Sequence, residues 1–126
     1  MKKIINPIGA PAPIGPYSRA VMTGNTLYTS GNIALDLNGN LYQGDIKAET
    51  KIVMDNLKIL LEAAGLDFEN VVKTSIFLSD MNNFTMVNEV YASYFSDDFP
   101  ARETVQVARL PKDAKVEISL IAVKSA

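Results

Sequence analysis

The chain has 126 residues, 48% hydrophobic and 21% charged, with a net charge of -2 and a pI of about 5.0. That composition fits one globular domain over residues 1–126 with a real core, and it lacks the clustered Lys and Arg on which phosphate affinity rests. With neither Cys nor His, disulfides, thiolate nucleophiles, Ser-His or Cys-His catalysis, Cys-ligated metals and most zinc sites drop out, which leaves Arg, Glu, Asp, Lys, Tyr, hydroxyls, backbone and water.

Residues 2–5 suit a short edge strand ended by Asn6-Pro7. Gly9, Pro11, Pro13 and Gly15-Pro16 make Ile8–Pro16 an extended, ordered loop. Tyr17–Met22 and Thr26–Ile33 read as two strands around Gly24-Asn25. Gly31 interrupts the second, which signals a bulge or the close approach of a ligand or backbone. Asp45 is placed to cap a long helix closed by Gly65, with Ile46, Val53, Leu57, Leu60 and Ala64 on the apolar stripe. Val71–Leu78 is a strand, and Asn82 or Asn83 caps a second helix to about Phe95. Two closing strands follow, Phe99–Pro111 and Lys115–Ala122, joined by a turn around Pro111-Lys112-Asp113 as a hairpin.

The order β-β-β-α-β-α-β-β predicts an α+β domain, a mixed sheet of about six strands with two helices on one face. Apolar residues on both faces of the later strands call for a second cover, so a homo-oligomer is expected. The N-terminal segment has no apolar run of signal-peptide length, and no stretch approaches the roughly 18 apolar residues of a membrane span. A cytoplasmic protein with no membrane or nucleic-acid partner is the expectation.

Two charges in the closing strands are hard to explain as solvated surface. Arg102 follows the rigid Phe99-Pro100-Ala101 and offers a planar fork for a carboxylate, with the Thr104 N–H as a second donor. The plainer reading pairs it with Glu103 or Asp98. Glu117 stands inside an apolar run, where a carboxylate is costly unless it is used, for instance to hold a water. Solvent exposure, or pairing with Lys115 or Arg109, would explain it equally well. Tyr17 and Ser30 could line a polar cleft, and Asn88 could face a ligand or another subunit, against ordinary packing for each. Lys73 reads better as an amine reaching solvent than as a buried Schiff-base lysine.

Ile14-Gly15-Pro16-Tyr17-Ser18, Thr29-Ser30-Gly31, Val87-Asn88 with Tyr91, Pro100-Ala101-Arg102, Val107–Pro111 and Val116-Glu117 together resemble the RidA (YjgF-type) family of enamine/imine deaminases, over about residues 2–124. The resemblance implies a chorismate-mutase-like subunit in a homotrimer with clefts between subunits. It also implies cofactor-free, metal-free hydrolysis of 2-imino acids such as 2-iminobutanoate and 2-iminopropanoate to 2-oxoacids and ammonia. By matching position, Arg102 would bind the substrate carboxylate with help from Thr104, and Glu117 would position water. Tyr17, Ser30 and Asn88 would line the cleft. Asn32 stands where many relatives have Gln, Ala34 where they often have Pro and Thr104 where some have Cys, which bears on the preferred imine. The rival readings are a non-catalytic small-molecule binder using the same cleft, and an endoribonuclease or translation inhibitor, which the acidic balance disfavours.

Overall fold

Alternation along two eight-residue strands decides which side of the sheet is buried. The computed structural model describes residues 1–125. Its six strands are β1 (Lys2–Ile5), β2 (Ala20–Thr23), β3 (Thr26–Thr29), β4 (Val71–Leu78), β5 (Ala101–Gln106) and β6 (Val116–Val123). They form one mixed sheet in the order β1-β2-β3-β6-β4-β5. Thr74, Ile76 and Leu78 of β4 and Val116, Ile118, Leu120 and Ala122 of β6 are buried on one face. Helices α1 (Ile46–Ala63) and α2 (Phe84–Ala92) cover that face, α1 lying against β6 and α2. This is the expected α+β architecture.

The long helix forms as its sequence directs. The Asp45 side chain accepts the Lys47 N–H at 2.8 Å, and Gly65, at φ +76°, takes the left-handed turn that stops the helix. Ile46, Val53, Met54, Leu57, Leu60 and Leu61 are buried, each stabilising the fold by roughly 1.5–3 kcal/mol. The second helix is shorter than its apolar spacing predicts. Asp80, rather than Asn82 or Asn83, supplies the cap: its carboxylate accepts the Asn82 N–H at 2.9 Å and opens a 3-10 turn (Met81–Asn83) that leads into α2. Asn83 makes no side-chain cap bond.

The closing strands are not a hairpin. β5 pairs with β4 in parallel, Thr74 beside Arg102, while β6 pairs antiparallel with both β4 and β3. Strand β5 arrives from β4 through α2, and such a crossover returns the chain parallel to its start. Strand β6 then inserts between β3 and β4, giving a split β-α-β arrangement. The Pro111–Asp113 segment is therefore a connection across β4, with Lys112 and Asp113 both at positive φ.

The sheet face away from the helices keeps an apolar surface. Ile4, Tyr28, Val105 and Val123 lie there, each between 39% and 46% exposed, around Phe77 and Ile121. Among the described residues, no helix is long and apolar enough to cross a membrane.

Candidate functional site

Register fixes the directions of the two suspect charges. Arg102 is the partner of Thr74 and so points to the helix side, whereas Glu117 is the partner of Phe77 and points to the open side. Within one chain the guanidinium and the carboxylate face opposite ways, on strands that β4 separates and not on the two arms of the expected hairpin. Each instead stands in its own cluster of candidate residues.

The first half lies at the β5 edge. Arg102 Nη1 donates to Asn88 Oδ1 at 2.7 Å, and the guanidinium carbon sits 5.0 Å from the Tyr91 ring centroid and 5.7 Å from that of Phe84. Glu103 and Asp98, the plainer partners, are not used; Glu103 instead pairs with Lys73 at 3.0 Å and touches Ser75 on the opposite face. Lys73 is thus a half-exposed ion-pair amine. Tyr91 Oη and Thr74 Oγ1 share a hydrogen bond of 2.8 Å beneath Arg102. Burial raises the Tyr91 phenol, against the smaller lowering effects of that bond and of the Arg102 charge, so it stays neutral. A cleft of about 270 Å³ opens here among Asn88, Tyr91, Phe99, Pro100 and Arg102. Thr104 follows on the same side of β5, its Oγ1 buried with no partner among the described residues. The guanidinium is thus oriented by one amide and two rings, with donors left over for a planar anion.

The second half gathers around Gly31. A Cβ at Gly31 would collide with the Glu117 carboxylate, so the residue's lack of a side chain is what lets that group fold over the backbone. The close approach at Gly31 is therefore by a side chain of the same chain, not by the ligand or backbone that the sequence suggested. Glu117 is half-buried and pairs with neither Lys115 nor Arg109, whose side chains go to Gly44 O and Asp113. Burial alone raises its pKa above the ordinary 4.5, and no cation offsets it. Ser30 Oγ donates to Ser18 O at 2.6 Å, and Tyr17 Oη accepts the Ile14 N–H at 3.2 Å. Tyr17, Ser30, Gly31 and Asn32 line one crevice of about 30 Å³, room for a water but not for a four-carbon acid. Asn32 donates to Ser30 O at 3.1 Å, which fixes the crevice wall.

The six candidate residues thus fall into two sets, Arg102, Asn88 and Thr104 on one side, Glu117, Tyr17 and Ser30 on the other. Phe84 and Phe99 were not singled out for the site. The spacing of Phe84, Asn88 and Tyr91 on one helix face was the signal that joins the first of them to Arg102. Among the described residues, no group of three or more Asp or Glu is arranged to hold a metal.

A split β-α-β sheet backed by two helices, with a polar half-site on each face, defines a chorismate-mutase-like α+β subunit. The family model described as Endoribonuclease L-PSP matches residues 7–124. A RutC family protein of Pyrococcus horikoshii is 49% identical over 98% of this chain and 99% of its own length. A mouse protein named 2-iminobutanoate/2-iminopropanoate deaminase is also 49% identical, over 98% of this chain and 93% of its own. The crystal structure of E. coli TdcF with bound serine superposes with a TM-score of 0.92 at 40% identity, covering 98% of this chain and 99% of that one. The chain belongs to this family, that of the RidA (YjgF-type) proteins.

Proposed function

We propose that this protein hydrolyses 2-imino acids, of the 2-iminobutanoate and 2-iminopropanoate type, to 2-oxoacids and ammonia, at clefts formed between copies of the chain. The observation that carries the reading is that Arg102 and Glu117 face opposite sides of one sheet, each without an opposite charge as partner among the described residues. A second copy docking its β5 edge on the open sheet face would bring the two halves together and cover the exposed Ile4, Tyr28, Val105 and Val123. A closed ring of three is the assembly expected from the family resemblance. Two relatives support the ligand class: the mouse protein by its name, and TdcF by its bound serine, which carries the α-carboxylate and α-nitrogen of a 2-imino acid.

In this reading the spare donors of Arg102 take the substrate carboxylate, with the Thr104 N–H beside them. The protonated imine carbon needs no covalent nucleophile. Glu117, ionised, takes a proton from a water whose oxygen bonds to C2, and the C=N π pair moves onto nitrogen to give a carbinolamine. Glu117 returns that proton to nitrogen. The C–N bond then breaks, its electron pair leaving as ammonia, while an oxygen lone pair closes the C=O bond; the hydroxyl proton goes to ammonia as ammonium. A base raised by burial is stronger when ionised, and turnover falls as pH drops through its pKa. Asn88, Phe84 and Tyr91 hold the anchor still, so that binding of the carboxylate also aligns the imine carbon.

The test is ammonia release from freshly generated 2-iminobutanoate. Arg102→Ala is expected to lower kcat/KM by about 10²-fold or more, and Glu117→Gln to abolish most turnover while retaining carboxylate binding. Equal rates for wild type and variants overturn the assignment. The serine bound in TdcF favours one second reading, a small-molecule sensor: wild type would then bind 2-oxobutanoate or serine through Arg102 and release no ammonia. The family description names an endoribonuclease, but the net charge of -2 and the absence of His give RNA neither a basic path nor the usual general base.

A further inference from the structure

Among the described residues, one carboxylate is almost wholly buried and belongs to neither half-site. Glu49, in the first turn of α1, is 1% exposed. Its Oε2 accepts the backbone N–H of Lys115 at 2.8 Å, bridging helix and sheet across 66 positions of sequence. A polar group is retained at such depth only where something satisfies it, and here the Lys115 amide does so. A surface glutamate on a solvated helix would do none of this.

What Glu49 grips matters more than the grip. Lys115 is tied three ways: its N–H to Glu49, its C=O to the Ser79 N–H at 3.2 Å, and its Nζ to Gly44 O at 2.7 Å. Two residues later comes Glu117, in register with Phe77. The preceding turn holds Lys112 and Asp113 at φ 56° and 60°, a left-handed pair disfavoured for residues with side chains, so contacts from outside the turn add to what holds the strand start. We propose that Glu49 is a positioning residue for Glu117: by fixing Lys115 against α1 it sets where β6 begins, and so holds the Glu117 carboxylate over Gly31. This rests on the proposed role of Glu117 in hydrolysis, and the test separates the two.

Two variants differ in one atom's capacity. Glu49→Gln keeps an oxygen to accept the Lys115 N–H, whereas Glu49→Met has similar reach and no such acceptor. Steady-state kinetics with 2-iminobutanoate are expected to show kcat of Glu49→Met down by up to roughly 10²-fold per folded molecule, with KM, set by the Arg102 half, within about 2-fold of wild type. Glu49→Gln should restore most of kcat. A purely structural role would lower the melting temperature of Glu49→Met but leave kcat per folded molecule unchanged, and that result overturns the proposal. A second readout does not depend on turnover. In amide spectra of the ¹⁵N-labelled protein, Glu49→Met should shift Gly31 and Glu117 while Asn88 and Arg102 stay in place. If wild type releases no ammonia, the hydrolase reading fails while shifts at Gly31 and Glu117 still uphold the positional link. Unshifted Gly31 and Glu117 amides overturn it whatever the activity. Should Glu49→Met not fold, Glu49→Ala and Glu49→Gln carry the same comparison.

Discussion

Gly31 and Glu117 are fitted to one another in the candidate site, with the carboxylate lying where a side chain at Gly31 would be. The two positions should therefore be energetically coupled. Gly31→Ala is expected to destabilise the protein by about 1 kcal/mol, the low end of overpacking costs, because the obstructing atoms belong to a flexible side chain. In a Glu117→Ala background the same substitution should cost at least about 0.5 kcal/mol less. Denaturant unfolding of the four proteins at one concentration measures the cycle, and additivity would mean that the carboxylate does not rest on Gly31. At this scale the sequence was partly legible. Arg102 and Glu117 stood out because charges in apolar strands need a reason, and Gly31 because a strand glycine needs one. Glu49 escaped notice because a glutamate in a helix reads as solvated. The signal was nonetheless there: Glu49 lies three residues after Ile46 and four before Val53, on the stripe that faces the core.

Among the elements, the long helix and β4 follow directly from periodicity and caps, and β4 has the bounds its sequence predicts, Val71–Leu78. Pairing partners do not follow. Nothing local in Phe99–Ala122 distinguishes a hairpin from two strands separated by a third, since both need only a short connection; the crossover through α2 decides it. The short helix offers a sharper check. Asn82 and Asn83 are both good caps in isolation, but Asp80 lies just before them and takes the Asn82 N–H. Asp80→Ala should then cost about 1 kcal/mol, and Asn83→Ala only a few tenths. Chemical denaturation at equal protein concentration discriminates them, and equal losses would return the cap to Asn83. The helix also carries Asn88 and Tyr91, so fraying it should loosen the Arg102 guanidinium as well.

For the molecule as a whole, the opposed directions of Arg102 and Glu117 bear on the proposed assembly. If both serve the proposed hydrolysis, their register with Thr74 and Phe77 points them away from one another within one copy. If copies close into a ring, each cleft takes the guanidinium from one copy and the carboxylate from the next, a heterologous contact of the kind that closes by rotation. The consequence can be tested without seeing the assembly. Arg102→Ala and Glu117→Gln, each expected to be strongly impaired alone, should complement one another when unfolded and refolded together. In a random equal mixture half the copies carry each lesion, so about one cleft in four joins an intact Arg102 to an intact Glu117. Ammonia release should recover to about a quarter of the wild-type rate per cleft, while a mixture of the separately folded variants should gain activity only as fast as copies exchange. A refolded mixture no more active than its two components would show that both residues act within one copy, and the face-to-face reading of this sheet would have to be abandoned.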